Sequence, residues 1–411
     1  MATAWSLVMG TTPTGRAGLS ATRLCAAIAL MALTALPVVA AGYSLPVSVP
    51  DRIGRAQIFA YGIKDRNDMV GKRDIIWGDS GTKVPGIYAL HYMTVGRDTV
   101  REHDLEWYKA NHPDWVVYRD DRTTVANEFK YTFGYYTPVD FANPEVRQYL
   151  WDAFVQPYVG AGRYEGICVD NVGATNVWHR AGVFKDGVWN QEYTGQAVDP
   201  TYAQGVADWI KWMATRVHEA GMSLTLNLYP TCHREGLDDE PGFRLIANEA
   251  DTILDEHGFT RKGKPLVTDK LWLAYVSLWA DLARTKGIIV DDKIAEDRSQ
   301  ATPAVINWAL ANYLMIKGDR TYVAWPMQYG AAEMNDFPEL YLSIGRPLED
   351  FRPVDQVYQR RFEKAIAVIN PSSKTAADYG IPAGQWRDLQ GAAQSGTVSL
   401  PPASGLVLVS E

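Results

Sequence analysis

Cysteine and histidine are scarce in this chain of 411 residues, which contains three of the former and seven of the latter. The histidines are scattered, with no His-x-x-x-His pair, and the cysteines form no Cys-x-x-Cys pair. Zinc sites use such spacings, so a zinc site is not indicated. We therefore expect neither a metal ion nor another cofactor.

Other motifs are also absent. No predicted strand is followed by a Gly-rich phosphate loop, and no serine lies in a Gly-x-Ser-x-Gly elbow. Acidic residues outnumber Lys and Arg by 48 to 40, the formal net charge is −8, and no dense basic stripe occurs. Because phosphate neutralisation needs such a stripe, a nucleic-acid partner is excluded. An acidic surface suits a neutral or cationic partner instead.

The N-terminal region differs in composition from the rest of the chain. Arg16 and Arg23 precede an apolar run over residues 24–39, and small residues follow at Ala40 and Ala41. This pattern predicts a secretory signal peptide over residues 1–41, cut after one of these alanines, and hence a secreted or periplasmic protein. The alternative is an uncleaved anchor, which Pro37 and the short run disfavour, so we expect no membrane span in the mature chain.

Apolar runs and helical patterns alternate along most of the chain. Helix signals, with Pro at starts and Gly at ends, predict helices over 65–72 and 143–158, from 199 to 221, from 269 to before 287, and over 302–318. Strands are predicted over residues 57–61, 74–77, 86–92, 166–170, 224–228, 251–255, 287–290 and 322–325. Eight strands with intervening helices predict an α/β fold, a (β/α)8 barrel, with a doubly wound open sheet as the alternative.

The helical period disappears after about residue 352. Residues 364–371, 386–389 and 397–409 form short apolar stretches separated by Gly, Pro and Ser, which predict antiparallel strands. We therefore divide the chain into the signal peptide, a catalytic barrel over 42–351 and a small β domain over 352–411. The long loop between residues 93 and 142 is expected to carry a hairpin or flap near Trp115.

Polar residues recur where the predicted barrel strands end, and in such a barrel these ends share one mouth. Carboxylates dominate this set, in which Asp170 ends the apolar run 166–170. Binding roles are open for most members, since a buried polar residue or a core Trp is an equally good interpretation. The candidates for substrate binding are Tyr61, Trp77, Asp79, His91, Asn171, Asn227, Asp291 and Trp325.

Hydrolysis of a glycosidic bond needs two carboxyl groups, one to protonate the leaving oxygen and one to act as nucleophile or base. Strands four and six are expected to face each other across the mouth, so we assign Asp170 as nucleophile and Glu256 or Asp255 as general acid. Side chains alternate along a strand, so only one of the latter two can point inward. We favour Glu256 because it lies further out on the rim.

Four segments together resemble a known family. They are Asp140-Phe-Ala-Asn-Pro-Glu-Val-Arg147, Gly166-Ile-Cys-Val-Asp-Asn171, Ala250-Asp-Thr-Ile-Leu-Asp-Glu256 and Ala367-Val-Ile-Asn-Pro371. The chain resembles bacterial glycosyl hydrolases of the α-galactosidase superfamily, relatives of the endo-α-1,4-polygalactosaminidases. The resemblance implies a signal peptide, a barrel, a C-terminal β-sandwich and catalytic acids that match Asp170 and Glu256. Asp255 beside Glu256 departs from the family pattern.

The leading hypothesis is a secreted glycoside hydrolase acting on a polysaccharide or oligosaccharide, with an α-linkage expected. A second is a carbohydrate-binding barrel without catalysis, and a third is a metal enzyme using Asp170, Asp255, Asp291 and Asp292 as oxygen ligands. Asp291 and Asp292 could alternatively hold substrate hydroxyls or cap the helical region around Glu296. Cys168 and Cys232 could pair as a disulfide in an exported protein or remain buried thiols.

Overall fold

The computed structural model describes residues 42–60, 63, 65–79, 83–100, 102–126, 129–131, 134–233, 236–326 and 335–410, without the side chains of residues 79, 129–131, 134–136, 232 and 233. The predicted signal peptide and Tyr61 therefore lie outside the described residues. Eight parallel strands close into a barrel in the order β1-β8-β7-β6-β5-β4-β3-β2. They are β1 (Gly54–Ile58), β2 (Ile75–Asp79), β3 (Tyr88–Thr94), β4 (Gly166–Asp170), β5 (Ser223–Asn227), β6 (Thr252–Asp255), β7 (Gly287–Asp291) and β8 (Thr321–Ala324).

The closed barrel confirms the predicted fold class and rules out the open doubly wound sheet. Six helices accompany it within the described residues: α1 (Leu105–Asn111), α2 (Pro144–Phe154), α3 (Pro200–Glu219), α4 (Glu240–Ala247), α5 (Asp269–Leu282) and α6 (Pro303–Ile316). Single turns of 3-10 helix lie at Arg66–Met69, Gln156–Tyr158, Arg298–Gln300 and Pro338–Tyr341. None of the helices among the described residues is both long enough and apolar enough to cross a membrane.

The helix starts follow from side-chain caps. Asn143 accepts a hydrogen bond from the Glu145 amide, Asp199 accepts from Thr201 and Tyr202, and Thr302 accepts from Val305. In all three helices Pro follows the capping residue, where its missing N–H costs nothing. The predicted starts of α2, α3 and α6 are therefore confirmed, although α2 ends at Phe154 and the predicted continuation to residue 158 is a separate 3-10 turn.

Each barrel strand divides its residues between two apolar layers. Cys168, Leu254 and Ile289 point inward and share one cluster with Ile75 and other barrel residues. Their sequence neighbours, such as Val169 and Ile253, point outward and pack with the helices in a larger cluster. This alternation of period two decides which polar residues at the strand ends reach the mouth.

Residues 42–50 lie against the opposite end of the barrel from the mouth. Val49 packs in the interior cluster, and the buried Lys317 ammonium donates to its carbonyl oxygen at 2.6 Å. Tyr88, at the start of β3, donates its hydroxyl proton to the Ser44 carbonyl oxygen at 2.7 Å. This segment closes the barrel floor, so the mouth is the accessible end.

The connections of the barrel differ from the predicted regular alternation. The described part of the β1–β2 connection holds one 3-10 turn rather than the helix predicted over 65–72, and residues 83–87 before β3 hold turns. The predicted hairpin near Trp115 is present a few residues later, where the Ala126 amide donates to the Val117 carbonyl oxygen at 2.8 Å and Tyr118 bridges Val125. Its two-residue strand Tyr118–Arg119 also pairs with a longer hairpin formed by Arg180–Lys185 and Val188–Thr194. Two further strands of this region, Phe129–Tyr131 and Gly134–Pro138, pair with each other, and the latter also pairs with Arg97–Asp98.

The C-terminal region forms an antiparallel sheet of six strands in the order β9-β10-β11-β16-β13-β14, and β12 pairs with β15. The bounds are β9 (Arg352–Val354), β10 (Val357–Arg361), β11 (Ala365–Asn370), β12 (Ala377–Gly380), β13 (Trp386–Arg387), β14 (Ala393–Gln394), β15 (Thr397–Leu400) and β16 (Ser404–Ser410). The predicted antiparallel strands are confirmed. The β-sandwich and the domain boundary at residue 352 stay predictions.

The C-terminal sheet packs directly on α6. The Val407 amide donates to the Asn307 side-chain oxygen at 2.9 Å, and a Cβ on Gly405 would lie 2.7 Å from the Asn307 carbonyl oxygen. Only glycine allows the two backbones to come this close. The sheet therefore supports the outer layer of the barrel.

Candidate active site

Asp170 stands at the end of β4 and continues the inward row of Gly166 and Cys168. Its Oδ2 accepts a hydrogen bond from the Tyr92 hydroxyl at 2.6 Å, and its Oδ1 accepts one from the Asn171 amide at 2.8 Å. Asn171 has a positive φ of 61°, which turns the chain sharply so that its side-chain nitrogen also reaches Asp170, at 3.1 Å. The carboxylate is thus oriented by donors from one strand and one turn.

The amide of Asn227 connects Asp170 with Glu256. Its Nδ2 donates to Asp170 Oδ1 at 2.7 Å and to Glu256 Oε2 at 2.8 Å. The two carboxyl oxygens can therefore be no further apart than the sum of these bonds, about 5.5 Å. The sequence prediction that the two strands carrying the acids face each other across the mouth is wrong. The two strands, β4 and β6, flank β5, which holds Asn227.

Opposing effects act on the charge of Asp170. Burial raises its pKa above the ordinary value, and the negative charge of Glu256 acts in the same direction. The hydrogen bonds from Tyr92, Asn227 and the Asn171 amide favour the ionised form and lower the pKa. These donors stabilise a carboxylate in a partly desolvated place, which is what a nucleophile requires.

Lys293 provides the positive charge of the mouth. Its Nζ donates to the Glu256 carbonyl oxygen at 2.9 Å and lies 3.6 Å from Glu256 Oε1 and 3.5 Å from Asp291 Oδ2. Asp291 ends β7, is 2% exposed, and has a buried Oδ1 without a hydrogen-bond partner among the described residues. Burial raises the pKa of Asp291 to about 7, although Lys293 lowers it.

Asp255 and Asp292 point away from the mouth. Asp255 is fully buried, and its carboxylate accepts hydrogen bonds from the Tyr275 hydroxyl on α5 at 2.7 Å and from the amides of His257 and Gly258. Asp292 accepts from the Phe259 amide at 2.9 Å. Burial raises their pKa values to about 6 and about 7, respectively. Both carboxylates organise the loop that follows β6.

The alternation of inward and outward side chains also separates the other residues predicted to bind substrate. Asn171 and Asn227 contact Asp170, while Trp77 points into the barrel, where its ring lies 5.6 Å from that of Tyr92. His91 lies on the outer face and stacks on Tyr158 at 3.6 Å. Trp325 is also outside, against Phe337. Tyr61 and the side chain of Asp79 lie outside the described residues, so their assignment stays a prediction.

Two residues of the site were missed in the sequence. Tyr92 stands next to His91 and donates to Asp170, so strand alternation counted from Leu90 would have selected it. Lys293 lies two residues beyond the end of β7, and no local pattern marks it. Cys168 is buried inside the barrel, while the side chain of Cys232 lies outside the described residues, so their pairing stays a prediction.

Among the side chains that the structure describes, no group of three or more His, Cys, Asp or Glu residues is placed to hold a metal ion. Of the four aspartates considered as ligands, Asp255 and Asp292 are oriented toward the loop after β6 by the bonds described above. Among the described side chains, the carboxylates that face the mouth are Asp170, Glu256 and Asp291, and Lys293 lies between the last two.

A family model described as hypothetical glycosyl hydrolase family 15 matches residues 88–366, which is more than half of the chain and contains both acids. The chain belongs to this family. Membership confirms the predicted enzyme class, a glycoside hydrolase. The match does not extend to the α-galactosidase superfamily, which stays a prediction. No functionally curated protein matches this chain in sequence.

Several solved structures are similar to this chain at low identity. The dextranase of Flavobacterium johnsoniae with glucose is 12% identical with a TM-score of 0.42, over 89% of this chain and 52% of that one. The cycloalternan-forming enzyme of Listeria monocytogenes with a pentasaccharide is 12% identical with a TM-score of 0.44, over 90% of this chain and 42% of that one. The trehalulose synthase of Pseudomonas mesoacidophila is 10% identical with a TM-score of 0.47, over 88% of this chain and 98% of that one. This chain spans about half the length of the first and less of the second.

Replacing Tyr92 by Phe is expected to move the acid limb of the pH–activity profile of this family member to higher pH. The variant loses a donor that lowers the pKa of Asp170, so the carboxylate ionises less readily. A hydrogen bond to a charged group contributes about 1.5–3 kcal/mol, so kcat/KM should also fall about tenfold or more. Tyr158→Phe, on the outer face, serves as control. An unchanged acid limb in the Tyr92 variant would count against this role.

Asp291→Asn is expected to stabilise the protein at pH 8 and to change little at pH 4. The folded pKa of about 7 exceeds the ordinary value near 3.9, so the native state binds the extra proton and stability falls as pH rises between these values. Removing the group removes this loss, about 1–3 kcal/mol at pH 8. Urea unfolding at both pH values measures it, with exposed Asp378→Asn as control. An equal change in the free energy of unfolding at both pH values would contradict the raised pKa of Asp291.

Proposed function

We propose that this protein is a secreted or periplasmic glycoside hydrolase that cleaves α-linked sugars of a polysaccharide or oligosaccharide with retention of configuration. Asp170 is the nucleophile, and Glu256 is first the general acid and then the general base. The observation that carries the proposal is the single amide nitrogen of Asn227, which donates to both carboxylates. The α-linkage rests on the resemblance to the α-galactosidase superfamily, and export rests on the sequence of residues 1–41.

Retention is favoured by the distance between the acids. Retaining enzymes hold their two carboxyl groups about 5–5.5 Å apart, whereas inverting enzymes need roughly 6.5 Å or more to admit a water molecule. The shared amide limits the two bonded oxygens to the shorter range. In the first step Asp170 forms a bond to the anomeric carbon while Glu256 gives its proton to the departing oxygen. In the second, water attacks that carbon, gives a proton to Glu256 and releases Asp170.

Asn227 positions both catalytic acids in this scheme. Both protons of its amide group are used, one on each acid, so a rotation of the amide would break both bonds together. Lys293 holds the other oxygen of Glu256 and its main chain. The two acids are thus fixed relative to each other before a sugar arrives, which supports catalysis by positioning.

The test is hydrolysis of bacterial exopolysaccharides and galactosaminoglycans by the purified mature protein, read as new reducing ends. Proton NMR then identifies the anomer released first from any polymer that is cleaved. Release of the α-anomer from an α-linked polymer is the expected result. Release of the β-anomer would contradict the retaining mechanism, and the absence of any cleavage across the panel would contradict the hydrolase itself.

A further inference from the structure

A cavity of about 200 Å³ opens beside Asn171 and Tyr229, in the loops that follow β4 and β5. Its wall comes from the loop after β4, the loop after β5, helices α3 and α4 and the segment after β3, and includes Arg97, Asn171, Tyr202, Tyr229, Asp238 and Phe243. Asn171 is the residue whose amide bonds to Asp170, and Tyr229 follows Asn227 by two positions. The cavity therefore adjoins the reaction centre and is not a separate surface feature.

The size of the cavity limits what it can hold. Pockets for drug-sized ligands measure roughly 300–1,000 Å³, so this one has room for a single small ring. The loops on two of its sides are tied together, since the hydroxyl oxygens of Thr175 and Thr231 lie 2.9 Å apart. A cavity whose walls are already linked is largely formed before the ligand binds, which lowers the cost of binding.

The chemistry of the wall suits an uncharged sugar. Among the described residues that line the cavity, the charged ones are Arg97, which is 5% exposed, and Asp238, so the opposite charges balance. A guanidinium donates to hydroxyl oxygens and a carboxylate accepts from hydroxyl protons. Tyr229, which is half-buried, supplies aromatic surface for the apolar side of a ring, while Tyr202 and Phe243 are buried in the wall, 4% and 1% exposed. A sugar with its own charge would bring an unmatched charge into this wall, which is costly.

We propose that this cavity is a subsite for one uncharged pyranose unit of the substrate, next to the sugar that Asp170 attacks. The inference rests on the proposed function and adds a substrate class, a glycan with a neutral unit at this position. Asp238 and Arg97 bind its hydroxyls, and the ring of Tyr229 lines its apolar face. The subsite holds the chain while Asp170 and Glu256 act on the neighbouring bond.

Gly173 allows the cavity to be filled without disturbing its wall. A Cβ at this position would meet no atom within 4 Å, and its φ is not positive, so Gly173→Leu places a side chain in open space. Val177, on the same loop, is 44% exposed, so Val177→Trp is a second way to fill the cavity if the first variant is unstable. Gly380 in β12 also has no atom within 4 Å, which makes Gly380→Leu the matched control.

The test is binding of four monosaccharide probes to the full mature protein, measured by saturation-transfer NMR. D-galactose and N-acetyl-D-galactosamine are neutral, D-galactosamine is cationic and D-galacturonic acid is anionic. The expected result is at least tenfold weaker binding of both charged sugars, loss of neutral-sugar binding in Gly173→Leu and Val177→Trp, and no change in Gly380→Leu. Preference for a charged sugar, no binding of any probe, or undiminished binding by both filled variants would overturn the subsite.

Failure of the hydrolase proposal would look different. Neutral sugars that bind the wild type and are excluded by Gly173→Leu, together with no cleavage of any polysaccharide, would leave the subsite standing and contradict the catalytic role of Asp170 and Glu256. Cleavage of a polysaccharide by wild type and Gly173→Leu at equal kcat/KM would leave the acids standing and contradict the subsite.

Discussion

Asp170→Asn is expected to reduce hydrolysis by at least about 10⁴-fold, since removing a nucleophile typically costs this much or more. The amide has the shape of the carboxylate and its oxygen can still accept from the Tyr92 hydroxyl, while its NH2 group faces the donors of Asn171 and Asn227, so we expect a folded variant with a lower melting temperature. The measurement is reducing-end release by equal amounts of folded wild type and variant. Wild-type activity in the variant would remove Asp170 from the mechanism.

Asp255→Asn is the matched control for this experiment. The same substitution, at an acid that is adjacent in sequence to Glu256, affects a carboxylate bonded to Tyr275 and to two backbone amides. We expect a lower melting temperature, because the new NH2 group faces a donor, and kcat within a fewfold of wild type. A loss in folded Asp255→Asn equal to that of Asp170→Asn would mean that Asp255 takes part in the reaction.

Glu256→Ala is expected to give the second largest effect, a loss of roughly 10²–10⁴-fold that depends on the leaving group. A nitrophenol leaves without protonation, so formation of the glycosyl-enzyme from an aryl glycoside should be nearly normal, while a sugar leaving group should be released very slowly. Azide ion needs no general base, so added azide should restore turnover and give a glycosyl azide of unchanged configuration. A loss independent of leaving group and unaffected by azide would exclude Glu256 as the acid and base.

Both expectations depend on strand alternation, which the sequence provides only in part. The chain shows that Asp255 and Glu256 point to opposite sides, but not which of them points inward. That choice depends on the register of β6 with its neighbours, where Leu254 pairs with Asn227 and Ile289. Leu254 is inside, so Glu256 follows it to the mouth and Asp255 faces α5. The sequence argument for Glu256 from its position on the rim did not use this reason.

The strongest sequence prediction was β4. Its bounds, Gly166–Asp170, agree with the predicted strand because a short run of Ile, Cys and Val between Gly and Asp is buried on both sides. Short elements within the loops were missed. Helix α1 begins after Asp104, whose side chain accepts from the Trp107 amide, so a capping signal was present. With seven residues, α1 is too short to show a clear apolar period.

The contacts that complete the site depend on closure of the barrel. Tyr92, Asn227 and Lys293 come from β3, β5 and the segment after β7, and they are far apart in sequence. No spacing rule predicts that one amide nitrogen joins Asp170 to Glu256, because this contact requires the register of three strands. His91 and Trp325 were selected as candidates only because they lie near strand ends. Alternation places both side chains on the outer face of the barrel.

The nucleophile is tested most directly by mass spectrometry of the protein after reaction with a 5-fluoroglycosyl fluoride of the sugar released in the hydrolysis assay. Such reagents form the covalent intermediate and hydrolyse slowly, so the nucleophile stays labelled. We expect one glycosyl group per chain, on the peptide that contains Asp170, and no label in Asp170→Asn. A label on Glu256 or on Asp291 would contradict this expectation.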